Sequence, residues 1–308
     1  MSSEVSPRSS CSHLSLQRQE PLIGSAARVE IWFLLSYRGA MSAKAFEGSN
    51  IPSSVKSFFS AQLESIPYSR LLLVKPNSQK DDGAMLDIVI GRELDPFYYS
   101  FKLKRYEDVL ALDIPMILDS NPRHAYTIGH RPFYVVCTNG NRDPCCAKYG
   151  LPAYEALKEL ASVPIWQGSH VGGHRFAANV LMFPHGIYYG RVMPSDAPAL
   201  LEAGDRGELR LQNFRGRACH DPVVQAAEAL LRQRTGRMDL DAFQVLDNTA
   251  IATETSTVRF TGTQDGLIHR IVLKSGVSGE QDFISCRSDK QAPVVHYDLV
   301  SYGIEDQT

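Results

Sequence analysis

No apolar run in this sequence approaches the roughly 20 residues that a membrane-spanning helix requires. The longest, Val29 to Leu35 with its flanks, falls far short, so no transmembrane segment is expected. Cysteine is scarce for the length, with six residues in 308, at positions 11, 137, 145, 146, 219 and 286. That spread excludes the dense disulfide framework of a small secreted domain and leaves reduced thiols or metal ligands. No C-x-x-C pair is present, so the helix-terminal motif of thiol–disulfide catalysis is missing, although the adjacent Cys145 and Cys146 keep a thiol oxidoreductase among the readings. Neither sign of charge prevails: 32 Lys and Arg stand against 34 Asp and Glu, and no basic tail or stripe suggests nucleic acid. There is no phosphate-cradling glycine loop, no Ser-His-Asp arrangement and no recognisable carboxylate pair of the kind a glycosidase needs. The first 25 residues lack the apolar core and cleavage site of a secretory leader. A disordered N-terminal tail over 1–25 and a cytoplasmic location are therefore expected.

What is there reads as an ordinary globular chain, 44% hydrophobic and 21% charged, long enough for two domains with a core each. From Arg28 to Tyr37 the run RVEIWFLLSY predicts a buried strand, and SSVKSFFSAQLES from Ser53 to Ser65 a helix. Strands follow at Arg70–Lys75, Met85–Gly91 and Phe97–Lys102, then a short helix around Tyr106–Leu112. A similar order recurs: a strand at Arg131–Thr138, a helix at Ala147–Ala161, a strand at Val163–Trp166, a hairpin formed by Asn179–Phe183 and Ile187–Val192, and a helix at Ser195–Glu202. Strand, crossover helix and further strands in each half predict an α/β fold of two tandem thioredoxin-like units, over 26–125 and 126–220. The remainder, 221–308, reads as a helix (PVVQAAEALLRQRTG) and a small β-rich appendage with runs near 242–247, 256–262, 267–273 and 293–300.

Cys137 falls at the end of a strand and Cys146 at the start of a helix, so the loop between them can bring both thiols together over a buried ligand. His170 and His174 lie in SHVGGH, where Gly172 and Gly173 remove side-chain bulk and let backbone approach a cofactor. Two sulfur and two nitrogen donors suit a tetrahedral zinc ion. They equally suit a Rieske-like centre, in which two His replace two Cys on one iron. The eight residues between Cys137 and Cys146 are a wider spacing than the two to four of a zinc finger.

CTNGNRDPCC followed by GSHVGGHRFAANVLMFPHGIYYGRV resembles the sucrase/ferredoxin-like family, relatives of the thioredoxin-like ferredoxins. That family's strand-end Cys, RD pair, second Cys and HxGGH box are matched by Cys137, Arg142 with Asp143, Cys146, and His170 with His174. The resemblance implies a two-iron two-sulfur (2Fe-2S) cluster on Cys137, Cys146, His170 and His174. It extends weakly to EPLIGSAARVEIWFLLSYRG and to ISCRSDKQAPVVHYDLV, and so covers most of the chain. Cys145 departs from the family pattern, and the alignment assigns the ligand to Cys146.

The expectation is thus an electron carrier or redox sensor rather than a catalyst, with a reductase or electron acceptor as protein partner, no nucleic acid and no membrane span. Reduction coupled to proton uptake through the His ligands belongs to the same expectation. The alternatives are a zinc-stabilised Cys2His2 interaction domain and the thiol oxidoreductase. Cys11, Cys219, His220 and Cys286 read as structural, Arg142 and Asp143 as a local salt bridge or loop clasp, and Trp166 and Phe176 as packing around the site.

Overall fold

A computed structural model describes residues 10–76, 83–119 and 127–305. The chain opens with helix α1 (Cys11–Gln17), then β1 (Ile31–Ser36), α2 (Ser53–Ser65), β2 (Ser69–Lys75), β3 (Ala84–Ile90) and β4 (Phe97–Leu103). A 3₁₀ helix over Tyr106–Ala111, helix α3 (Ile114–Leu118) and strand β5 (Thr127–Gly129) complete the first half. The second half runs β6 (Phe133–Cys137), α4 (Pro144–Leu160), β7 (Ile165–Gly168), β8 (Val180–Phe183), β9 (Ile187–Tyr189), α5 (Ala197–Asp205) and β10 (Phe214–Arg217). Helix α6 (Pro222–Thr235) leads into β11 (Phe243–Ala252), β12 (Thr255–Gly262), β13 (Ile268–Phe283) and β14 (Gln291–Glu305). Among the described residues no helix is long and apolar enough to cross a membrane.

The two halves repeat one topology. β1 pairs in parallel with β2 and antiparallel with β3, which pairs antiparallel with β4; β6 does the same with β7, β8 and, beyond β8, β9. This is the thioredoxin-like arrangement, with α2 and α4 as the crossovers between the parallel strands. Rather than packing as separate layers, the halves join edge to edge. β2 and β7, equivalent strands of the two units, pair antiparallel at Val74↔Gly168 and Lys75↔Gln167, giving one ten-stranded sheet in the order β10-β9-β8-β6-β7-β2-β1-β3-β4-β5.

Alternation within each strand builds the core. Phe33 and Leu35 of β1 pack with Phe59 of α2, while Trp32 and Leu34 face the other way. In β6, Tyr134 and Val136 meet Tyr154 and Leu157 of α4, and Phe133, Val135 and Cys137 join Trp32 and Leu34 on the opposite face. Cys137 therefore points into an apolar layer shared by both units. The appendage is an antiparallel four-stranded meander whose Phe243, Val258, Phe260 and Ile271 pack on Val224, Ala227 and Leu231 of α6.

Two sequence expectations need correction. Residues 10–25, taken as part of a disordered tail over 1–25, contain α1, with Cys11 buried and the Ser10 side chain capping the helix at His13 N; residues 1–9 of that tail lie outside the described residues. The last two strands are far longer than the runs at 267–273 and 293–300: β13 spans 16 residues and β14 spans 15. Their length carries the connecting loop at 284–290 across to the second thioredoxin-like unit.

Candidate metal centre

The site forms where β6 and β7 end and α4 begins. Asp143 caps α4, its Oδ1 accepting from Cys145 N at 3.0 Å, and Pro144 occupies the first turn, so the helix starts at once beneath the loop. Cys145 and Cys146 therefore sit in that first turn, on different sides of it. Cys146 turns toward Cys137, while Cys145 turns toward Cys11 and Cys286. Gly150, one turn further along α4, lies so close to β6 that a Cβ there would fall on the Cys137 carbonyl.

Of the four residues expected as ligands, three gather tightly: the ligand atoms of Cys137, Cys146 and His170 all lie within 4.8 Å of one another. His170 Nδ1 is 3.9 Å from Cys137 Sγ and 3.7 Å from Cys146 Sγ. His174 stands beside them, its ring 4.9 Å from that of His170 between centroids, but it is not in the same tight group. Its Nε2 lies 3.8 Å from Asp143 Oδ2, and its Nδ1 is buried without a hydrogen-bond partner. A buried imidazole nitrogen with no hydrogen-bond partner, beside two thiols and a second imidazole, is an unsatisfied polar atom of the kind that ligates a metal. The donor set therefore fits a metal or cluster that takes sulfur and nitrogen.

The electrostatics follow from the packing. The Cys146 S–H bonding to Cys137 holds the Cys137 thiol well below the ordinary thiol range; burial opposes this and His170 adds to it. The same bond, with burial, pushes Cys146 up. Burial lowers the basicity of His174, with Asp143 pulling the other way.

Two arginines that sequence pattern did not mark hold the histidine loop. Arg70 of β2, from the first unit, donates from Nη2 to the His170 carbonyl at 3.0 Å. Arg215 of β10, 2% exposed, donates to Gly172 O at 3.3 Å and Asn179 Oδ1 at 2.7 Å. Gly173 adopts φ +68, and a Cβ there would lie 2.5 Å from Arg215 Nη2, so both the backbone angle and the close guanidinium require glycine. The first unit also docks the cysteine loop, since Asn139 Nδ2 donates to Ser42 O at 2.9 Å and Asn141 Nδ2 to Met41 O at 2.8 Å. Lys44, Arg70, Arg142 and His170 line an open cavity of about 290 Å³ at this junction.

Other expectations divide. Trp166 packs on Phe133 with ring centroids 4.7 Å apart, and Phe176 is buried beneath the guanidinium groups of Arg175, Arg191 and Arg215. Asp143 is engaged by backbone amides and by Ser285 Oγ, at 2.9 Å, instead of forming the expected clasp with Arg142. His220 pairs with Glu93 at 3.3 Å, away from the centre. Cys11 and Cys286, read as structural, both reach Cys145, with Sγ–Sγ separations of 3.6 and 3.3 Å. In that group the Cys145 thiol is lowered to about 6, chiefly by the bond from Cys11 and against burial, while burial pushes Cys286 up to about 11.

Comparison with known proteins adds ancestry. The model of the sucrase/ferredoxin-like family matches residues 20–216. Altered inheritance of mitochondria protein 32 of Meyerozyma guilliermondii is 29% identical over 93 residues, covering 27% of this chain and 33% of that protein. The protein of the same name in Eremothecium gossypii is 28% identical over 102 residues, 28% of this chain and 33% of the other. Actin patches distal protein 1 of Saccharomyces cerevisiae is 26% identical over 178 residues, 46% of this chain and 56% of the other. The matched stretches thus span from a third to just over half the length of these relatives.

Proposed function

The chain belongs to the sucrase/ferredoxin-like family, and on that premise we propose that it is a single-electron carrier whose Cys137, Cys146, His170 and His174 hold a 2Fe-2S cluster. The observation that carries the reading is the convergence of Cys137 Sγ, Cys146 Sγ and His170 Nδ1 within 4.8 Å, with the orphaned Nδ1 of His174 beside them. When bound, such a cluster supplies reversible one-electron transfer, at a potential raised by the replacement of two thiolates with two imidazoles.

The chain's own residues do the rest. Cys137 and Cys146 supply the anionic donors from a buried layer that excludes water. Arg70 and Arg215 fix the loop that presents the histidines. His174 Nε2 lies 3.8 Å from the Asp143 carboxylate, and a carboxylate beside one ring nitrogen favours the tautomer that leaves the other, Nδ1, free to ligate. His170 borders the open cavity at the junction of the units, the face from which a proton coupled to reduction would enter. A reductase or electron acceptor would approach over this face. Six free cysteines suit a reducing compartment such as the cytosol.

A specific observation also favours a second reading: sulfur and nitrogen atoms 3.7–3.9 Å apart match the shell of a single tetrahedral ion, so a Cys2His2 zinc site is the competitor. Iron, sulfide and zinc analysis of native protein, with single Ala substitutions of the four residues, separates the two. The carrier reading expects iron and acid-labile sulfide in equal amounts, lost on replacing either Cys and reduced on replacing either His. Its potential falls with rising pH in the wild type, by up to about 59 mV per unit for one proton per electron. Zinc without iron, or a potential flat from about pH 6 to 10, contradicts the corresponding part of the proposal.

A further inference from the structure

Beside the proposed cluster site, the other side of the same first turn of α4 faces a second group of thiols. Cys11 Sγ is 3.6 Å from Cys145 Sγ and 3.5 Å from Cys286 Sγ, and Cys145 Sγ is 3.3 Å from Cys286 Sγ. Asp143 Oδ1 lies 3.9 Å from Cys11 Sγ. The three thiols come from α1, the start of α4 and the β13–β14 loop, parts of the chain separated by as many as 275 residues. Cys11, Cys145 and Asp143 are buried, and Cys286 is partly so.

We propose that Cys11, Cys145 and Cys286, with Asp143, bind one zinc ion that fastens the N-terminal helix and the C-terminal hairpin to the helix carrying Cys146.

Three sulfurs on one tetrahedral zinc, at about 2.3 Å each, stand about 3.8 Å apart; the thiols already form a near-equilateral triangle slightly inside that spacing. A disulfide needs about 2.05 Å and uses only two of the three. Copper(I) would be served by the thiolates alone, but a hard carboxylate oxygen at the fourth corner suits the borderline zinc ion better. Supporting contacts are in place around this shell. Cys11 N donates to Cys286 Sγ at 3.2 Å, and Asp143 Oδ2 is held by Ser285 Oγ at 2.9 Å and Cys286 N at 2.8 Å. Such bonds orient ligands and stabilise thiolate charge. Asp143 stands between the two sites, with one oxygen toward Cys11 and the other 3.8 Å from His174, so the second ion also braces the histidine side of the first centre.

The test uses the full chain purified without chelator. Bound zinc should be close to one per chain, and should persist in Cys137→Ala, which disables only the proposed cluster site. It should be lost in Cys11→Ser and in Cys286→Ser. X-ray absorption at the zinc edge of Cys137→Ala should show three sulfurs and one lighter ligand. Because a serine variant can lose zinc by misfolding, cobalt(II) is titrated into metal-stripped Cys137→Ala as a second probe. One equivalent should give the thiolate charge-transfer and tetrahedral ligand-field absorption of a three-sulfur site. Absence of zinc from the wild type together with no such cobalt spectrum, zinc retained in Cys286→Ser, or a native disulfide between any two of the three cysteines would overturn the proposal. Loss of iron without loss of zinc, or the reverse, tells failure of the cluster reading from failure of this one.

Discussion

At the residue scale, the decisive side chains divide by how they announce themselves. Cys137, Cys146, His170 and His174 stood out because a thiol at a strand end, a thiol at a helix start and two histidines flanking paired glycines form a local, recognisable pattern, and the fold brings the first three together. Arg215 and Arg217 were not, since arginine in sequence reads as surface, yet both are at most 2% exposed. Cys11 and Cys286 were read as structural for a similar reason: nothing near either in sequence reveals that they meet. Asp87 is a further buried polar residue, on β3 in the first unit. Burial raises its carboxyl from 3.8 to about 7, partly offset by the hydrogen bond from Ser100. The folded chain then keeps a proton that the unfolded chain has released above about pH 4. This contribution to stability is complete below that pH and is lost as pH rises to about 7, roughly 4 kcal/mol in all. Asp87→Asn removes the slope, and urea midpoints of wild type and variant should converge at acid pH and separate, with the variant higher, above neutrality.

At the element scale, the regular pieces with clear apolar periodicity were legible almost to the residue; α2 at Ser53–Ser65 has the expected bounds. The strands missed were β5, only three residues long, and β10, whose sequence FRGR shows no apolar alternation. β10 is a strand because its arginines are satisfied from inside. Arg217 and Arg232 both bond Glu228 of α6, at 3.2 and 3.0 Å, and Arg217 also donates to Leu240 O at 2.7 Å. Burial works against the charged Glu228, yet the two guanidinium groups outweigh it and hold its carboxyl near 2. This triad clasps α6 to the main sheet and so anchors the appendage. Glu228→Gln leaves two buried cations without their anion, and should cost about 3–5 kcal/mol in chemical denaturation. A loss below about 1 kcal/mol, the range of an exposed pair, would mean that the triad is open to solvent.

At the scale of the whole molecule, the repeated order of elements foretold two thioredoxin-like units, but not their union. Edge pairing of β2 with β7 depends on two strands finding each other across about ninety residues of chain, and periodicity carries no information on partners. That union matters for the site, because it places Arg70 and the Ser42 region of one unit against the ligand loops of the other. The role of the two ends of the chain was likewise invisible until α1 and the β13–β14 loop were seen on either side of Cys145. The account as a whole rests on two cysteines and two histidines sharing a pair of bridged irons. Its most direct test is electron paramagnetic resonance of the dithionite-reduced, anaerobically purified protein, with and without ¹⁵N-labelled histidine. The account predicts the signal of a reduced 2Fe-2S centre carrying strong hyperfine coupling from histidine nitrogen, altered by the label. An integer-spin or silent sample, or a cluster signal indifferent to the label, would contradict it.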